Sequence, residues 1–192
     1  MAKRKQLWVL AGGNGAGKST FYNLSLAKLG IKLVNADMIA KSINPDSPET
    51  LSYQAATVAA KIREDLLAQG VSFCFETVFS HKSKIDFIAN AKRYGYEIIL
   101  VYIHLLHSSL NEARVNQRVS EGGHNVPTEK IHSRIPRTIK NIKIALSIVD
   151  ETRILDNSSK DNPFQEVIEM KAGKYEVKVD PLPGWAKALL PA

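Results

Sequence analysis

At 192 residues, with 44% hydrophobic and 23% charged side chains, the chain is long enough to bury a core and too ordinary in composition for a disordered, collagenous or repeat protein. A lone cysteine, Cys74, excludes a disulfide framework within the chain and fits a reducing compartment, so a cytoplasmic location is expected. The net charge of +7 suits phosphate-rich ligands, and no apolar run is long enough to cross a membrane.

Lys3-Arg4-Lys5 ahead of Leu7-Trp8-Val9-Leu10-Ala11 imitates the start of a secretory leader, but the apolar run is too short for one. It reads instead as a first strand. Gly12-Gly13-Asn14-Gly15-Ala16-Gly17-Lys18-Ser19-Thr20 follows, and Phe21 to Gly30 continues as a helix. Strand, glycine loop and helix in that order, with G-x-x-x-x-G-K-S from Gly12 to Ser19, predict a phosphate-binding loop. Its backbone N–H groups and the helix dipole face an anion, Lys18 reaches the β- and γ-phosphates, and the Ser19 hydroxyl is placed to ligate Mg²⁺. A dinucleotide fingerprint starting at Gly13 fails, because it needs glycine where Lys18 stands. ATP with Mg²⁺ is the expected cofactor pair.

Ile31 to Asp37 predicts a second strand ending in a carboxylate, and Asn44-Pro45-Asp46-Ser47-Pro48 breaks the chain. A long helix is expected from about Pro48 to Gln69, a third strand over Val71 to Thr77, and a helix from Lys84 to Tyr94. Cys74, within Val71-Ser72-Phe73-Cys74-Phe75, is expected to be buried and inert. Glu97 to Leu105 is the most apolar strand, continuous rather than alternating, as in a parallel sheet covered on both faces. Helices follow over Ser109 to Ser120 and Thr128 to Val149, with Thr128 as N-cap, and Thr152 to Asp156 makes a fifth strand. Glu166 to Met170 and Tyr175 to Val179 flank a hairpin signal, and a short helix near Trp185 closes the chain.

The expected architecture is therefore α/β: a P-loop NTPase with a doubly wound, mostly parallel five-stranded sheet and helices on both faces. It forms one domain over 1–192, with a small C-terminal β-hairpin appendage over about 163–192. The site belongs beyond the carboxyl ends of the strands, where Gly12, Asp37 and Glu76 fall.

Asp37 would face the γ-phosphate and take the proton of an acceptor hydroxyl, or else cap the helix that begins at Met38, or reach Mg²⁺ through a bound water. Glu76 and Thr77 end the third strand in the same cleft, for substrate, for metal-bound water, or for a structural hydrogen bond. From Arg114 to Lys143 seven cations stand against Glu121 and Glu129, a net charge of +5. Arg114 with Arg118, and Arg134 with Arg137, each share a helix face. With Gly122-Gly123 as a hinge they predict an arginine-bearing helical lid over about 114–137 that brings guanidiniums to the triphosphate. Ser120 to His124 and Ile148 to Glu151 faintly imitate an ABC ATPase signature loop and Walker B segment. The spacing of Ile135, Ile139, Ile142, Leu146 and Val149 is helical, however, so Asp150 ends a helix rather than a strand.

The chain resembles the zeta-toxin family of P-loop kinases, in particular its short, stand-alone members. The resemblance is carried by Gly12 to Thr20, Asn35-Ala36-Asp37, Phe75-Glu76-Thr77, Arg118 with Gly122-Gly123-His124 and Pro127, Arg134 with Arg137, and Leu155-Asp156-Asn157-Ser158. It implies ATP-dependent phosphorylation of a sugar hydroxyl, with UDP-N-acetylglucosamine the acceptor of characterised members, and an antitoxin protein as a possible partner. It makes Asp37 the base, Lys18 the phosphate ligand, Arg118 and Arg134 the lid arginines, Arg137 and Asn157 nucleotide contacts, and Glu76 and Thr77 substrate contacts. Two alternatives stand beside it. One is a nucleotide-dependent switch that binds nucleic acid or a protein and hydrolyses ATP slowly. The other is a kinase of nucleic-acid 5′ ends, which the basic lid would also suit.

Overall fold

A computed structural model of the chain describes residues 4–123 and 125–190. Its strands are β1 (Gln6–Ala11), β2 (Lys32–Val34), β3 (Phe73–Thr77), β4 (Glu97–His104), β5 (Glu151–Asp156), β6 (Gln165–Lys171) and β7 (Lys174–Val177). Among the described residues they form one sheet in the order β2-β3-β1-β4-β5-β6-β7. The first five run parallel, and β6 and β7 are antiparallel additions at one edge. The expected C-terminal hairpin is present as β6 and β7. It extends the expected five-stranded sheet to seven strands, because β6 pairs directly with β5.

The helices are α1 (Lys18–Phe21, continued as a π turn over Tyr22–Leu26 and a 3-10 turn over Ala27–Leu29), α2 (Ala36–Ile43), α3 (Ser52–Ala68, entered through a 3-10 turn at Pro48–Leu51), α4 (Ser83–Arg93), α5 (Ser108–Ser120), α6 (Thr128–Ala145) and α7 (Gly184–Lys187). Strand alternation assigns the two faces. Leu7, Val9, Phe73, Phe75, Ile98, Leu100 and Tyr102 turn toward α3, α4 and α6, whereas Leu10, Cys74, Val101 and Ile103 turn toward α1 and Leu110 of α5. Both faces are covered, so the central strands are apolar throughout, and each fully buried Phe or Leu contributes roughly 1.5–3 kcal/mol. Burial pushes the Cys74 thiol well above its usual range, which leaves it an inert core group.

Strand order reverses beside β1, whose sequence neighbours β2 and β3 lie on one side and β4 on the other. Ala11 is in register with Thr77 of β3 and Tyr102 of β4, so the segments leaving these three strands emerge together. Asp150 lies at the opposite edge of the sheet. Its backbone N–H donates to the Ile98 carbonyl, and its carboxylate accepts from Lys92 Nζ at 2.6 Å and from the Ile98 N–H at 2.7 Å. It staples α4 to β4 far from the glycine loop and immediately precedes β5, so it ends neither the helix expected there nor a strand as a Walker B carboxylate would.

Three local expectations are corrected. β2 ends at Val34 rather than Asp37, because Asn35 turns the chain: its side-chain oxygen accepts from the N–H groups of Asp37 and Met38 and starts α2. α6 ends at Ala145 rather than Val149. Its N-cap is Pro127, and the Thr128 hydroxyl instead donates to Glu112 at 3.0 Å. The C-terminal tail folds back on the sheet, where Trp185 stacks on His104 with ring centroids 4.2 Å apart. Burial pushes the His104 imidazole down to about 4, so it packs as a neutral ring, its Nδ1 2.8 Å from the Tyr102 hydroxyl.

Candidate active site

The glycine loop leaves β1 in a conformation only glycine tolerates. Gly12 has φ +152°, and a Cβ there would stand 2.3 Å from the Ile103 carbonyl oxygen of β4. Gly17, at the start of α1, has φ +97°, and a Cβ would meet the Asn157 amide at 2.5 Å. Two side-chain amides hold the loop from outside. Asn111 Nδ2 of α5 donates to the Asn14 carbonyl at 2.7 Å, and Asn157 Nδ2 donates to the Ala16 carbonyl at 2.9 Å. Phe164 closes the same wall. Its N–H donates to the Asn157 side-chain oxygen, and its ring meets Phe21 edge-on at 5.5 Å.

Lys18 is 7% exposed and donates back to the Gly13 carbonyl at 3.0 Å, with Glu76 Oε1 at 3.7 Å. Burial lowers its pKa below the usual lysine range, while the charges of Glu76 and Asp37 pull the other way. Glu76 is the hub of the site. Its Oε2 accepts from the Ser19 hydroxyl at 2.7 Å and from Asn35 Nδ2 at 2.8 Å. Asn35 therefore does two jobs: its oxygen caps α2 and its amide holds Glu76. Asp37 sits in the first turn of α2 with its carboxylate exposed to the cleft. Since Asn35 is the cap, the capping alternative for Asp37 falls away.

The cleft has two halves. One, of about 480 Å³, runs between the glycine loop, α5 and the β5–β6 connection, and is lined by Thr20, Arg114, Arg118, Asn157, Lys160 and Phe164 among others. The second, of about 560 Å³, lies between α2, α3, the β3–α4 loop and the start of α6. Asn14, Lys18, Asp37 and Glu76 line both halves, so the loop lysine and the two carboxylates stand at the junction. Thr77 lines the second half, and its hydroxyl accepts from the Phe79 N–H at 3.0 Å.

The arginines divide. Arg134 Nη1 donates to the Asn14 side-chain oxygen at 3.3 Å and lines the second half. Arg118 lines the first half, and its charge acts on Lys18. Arg114 reaches the Asn157 carbonyl at 2.8 Å. Arg137 is set apart: it folds back onto Ser133 of its own helix and lines neither half. Gly122 has φ +81°, and the Gly123 N–H donates to the Arg118 carbonyl at 2.8 Å, so α5 ends in a tight turn. His124 lies outside the described residues.

Sequence reasoning missed Asn111, Phe164 and the hub role of Asn35. Nothing in the local pattern marks Asn111. Phe164 sits in what reads as a tail, and it reaches the glycine loop only because β6 pairs back onto β5.

Comparison with known proteins adds a lineage to this geometry. The family model described as Zeta toxin matches residues 1–167. An uncharacterised protein of Haemophilus influenzae is 31% identical over 138 residues, which cover 68% of this chain and 98% of that protein. Among solved structures, the AvrRxo1-ORF1:AvrRxo1-ORF2 complex with sulphate ions is similar with a TM-score of 0.78 at 17% identity, over 100% of this chain and 66% of that one. The AvrRxo1-ORF1:-ORF2 structure with ATP has a TM-score of 0.74 at 18% identity, over 92% and 61%. The PezAT chromosomal toxin-antitoxin system of Streptococcus pneumoniae is similar at 0.65 and 16% identity, over 88% and 72%. This chain thus spans less than two thirds of the length of the chains it matches in the two AvrRxo1 complexes, and these structures share its fold.

Proposed function

This chain belongs to the zeta-toxin family of P-loop kinases, and from that membership we propose that it transfers the γ-phosphate of ATP to a hydroxyl of a nucleotide sugar, with UDP-N-acetylglucosamine the first acceptor to test. The observation that carries this reading is the two-part cleft with Lys18, Asp37 and Glu76 at its junction. ATP lies in the half lined by Thr20, Arg118, Asn157 and Phe164, and the acceptor lies in the half bounded by Asp37, Thr77 and Arg134. A structural relative solved with ATP supports the choice of donor.

The acceptor oxygen attacks the γ-phosphorus, the bond to the β-phosphate oxygen breaks, and ADP leaves. The hydroxyl proton goes to the Asp37 carboxylate, a role worth on the order of 10²–10⁴ in rate. Lys18 binds the β- and γ-phosphates, and Arg118 and Arg134 neutralise charge that builds on the transferred group. The Ser19 hydroxyl and the Glu76 carboxylate, 2.7 Å apart, fit Mg²⁺, an ion that takes one or two protein oxygens and relies on phosphate and water for the rest. Ser19 would hold it with Glu76 behind, and its charge would offset that of the β- and γ-oxygens. A role beside the metal competes with the substrate role that the resemblance implies for Glu76. Its bonds to Ser19 and Asn35 favour the metal side.

Incubation with γ-labelled ATP and a panel of nucleotide sugars tests the reading. A labelled sugar nucleotide is expected, with slow ATP hydrolysis when no acceptor is present. Hydrolysis stimulated by oligonucleotide, weakening steeply with salt and labelling no sugar, would overturn it in favour of a nucleic-acid switch. An antitoxin protein belongs to the same proposal, since one structural relative is a toxin-antitoxin system. Arg134→Ala should lower kcat by 10-fold or more while raising the KM for ATP by less, because the developing charge exceeds that of the ground state. Equal losses in both would make Arg134 a static binding residue.

A further inference from the structure

The acceptor half holds a buried cation that forms no ion pair among the described residues. Arg63 of α3 is 7% exposed and lines this half, yet its Nε has no hydrogen-bond partner. Its neighbours are aromatic: the guanidinium carbon lies 5.2 Å from the ring centroids of both Phe75 and Phe87, which stand at 89° to each other. Lys84, in the first turn of α4, lines the same half. Burial lowers the proton affinity of both groups, and for Lys84 the charge of Arg63 adds to that effect. Glu64, which attracts Arg63 electrostatically, is exposed and lines neither half. Of the three carboxylates that line this half, Glu76 is committed to Lys18, Ser19 and Asn35, and neither Asp37 nor Glu49 is ion-paired with Arg63 among the described residues.

A desolvated guanidinium without a counter-ion destabilises a protein, and a second cation beside it makes matters worse. Such an arrangement is explained by a ligand that brings the missing charge. Two aromatic rings hold the guanidinium in place and contribute cation–π attraction, but they supply no hydrogen-bond acceptor in its plane. Its N–H groups remain suited to two oxygens of one oxyanion. Arg63 and Lys84 do not line the nucleotide half, so the triphosphate of ATP is not that anion.

We propose that Arg63 and Lys84 form an anion subsite that docks a phosphate group of the acceptor molecule. Granted the kinase reading above, Arg63 and Lys84 are the residues that hold the acceptor's phosphate. The phosphate anchors one end of the acceptor while its hydroxyl meets Asp37 at the junction, so the subsite sets both affinity and register.

The test separates the subsite from the kinase reading. Protein saturated with Mg²⁺ and AMP-PNP, its P-loop filled, is titrated calorimetrically with pyrophosphate in excess Mg²⁺. The parent protein should bind. Arg63→Met, which fills the space between the rings without charge, should weaken that binding at least tenfold. Lys84→Gln, half-buried and outside the aromatic pair, should act in the same direction and serves if Arg63→Met does not fold. Pyrophosphate binding absent from the parent, or equal in the parent and both variants, overturns the subsite. In transfer assays, N-acetylglucosamine 1-phosphate and UDP-N-acetylglucosamine distinguish a monophosphate from a diphosphate anchor, and either one outpacing N-acetylglucosamine supports the subsite. Equal transfer to all three overturns it and leaves the kinase reading standing. No transfer to any of them counts against the kinase reading, and the pyrophosphate titration then decides the subsite alone.

Discussion

Asp37→Asn is expected to keep the fold and bind ATP within a few-fold of the parent protein while losing phosphoryl transfer by on the order of 10²–10⁴. The reason lies in the division of labour at the start of α2. Asn35 accepts the N–H groups of Asp37 and Met38, so the Asp37 side chain is not needed to begin the helix. Its carboxylate in the first turn gains only the dipole term, about 0.3–1 kcal/mol at an exposed position. Asparagine has the same shape and no basicity. Turnover of labelled ATP onto the acceptor, measured beside calorimetric ATP affinity and a melting curve, separates the two effects. A variant that transfers phosphate at near the parent rate would remove Asp37 from the chemistry.

Lys18→Ala should act on the other side of the junction. The ammonium is buried between the Gly13 carbonyl and Glu76, and it is the cation of the glycine loop itself. Truncating one partner of a buried, hydrogen-bonded charge pair costs about 2–5 kcal/mol, which is roughly 30- to several thousand-fold in affinity. Titration with ATP and Mg²⁺ reads this directly. Folding should suffer far less, since Glu76 keeps Ser19 and Asn35 as donors and the protein no longer desolvates an ammonium. An ATP affinity within threefold of the parent would show that the loop binds phosphate through its backbone alone.

The sequence by itself determined the glycine loop, the alternation of strand and helix, the buried continuous run of β4 and the family. Each of these is written in neighbours along the chain. The order of Gly12 to Ser19 needs only the strand before it and the helix after it, and the apolar run from Ile98 to Ile103 declares a strand covered on both faces without reference to any partner. The same local signals were weakest where one residue redirects the chain. Asn35 turns β2 into α2 two residues before the carboxylate that had been expected to end the strand, and this moves Asp37 from a strand end to a helix start.

Tertiary structure alone decided which polar groups meet. Glu76 joins Ser19 because β3 is in register beside β1, and Asn111 reaches the Asn14 carbonyl across 97 residues of chain because β4 lies on the other flank of β1. Phe164 arrives at the loop through the antiparallel return of β6, and the Arg63 Nε is left without a hydrogen-bond partner where Phe75 and Phe87 flank the guanidinium. Helical and strand periodicities depend on residues a few positions apart, and a sequence carries them openly. A charge's surroundings depend on long-range pairing, and the energetic effect of burying it is set by groups that sequence spacing does not bring together.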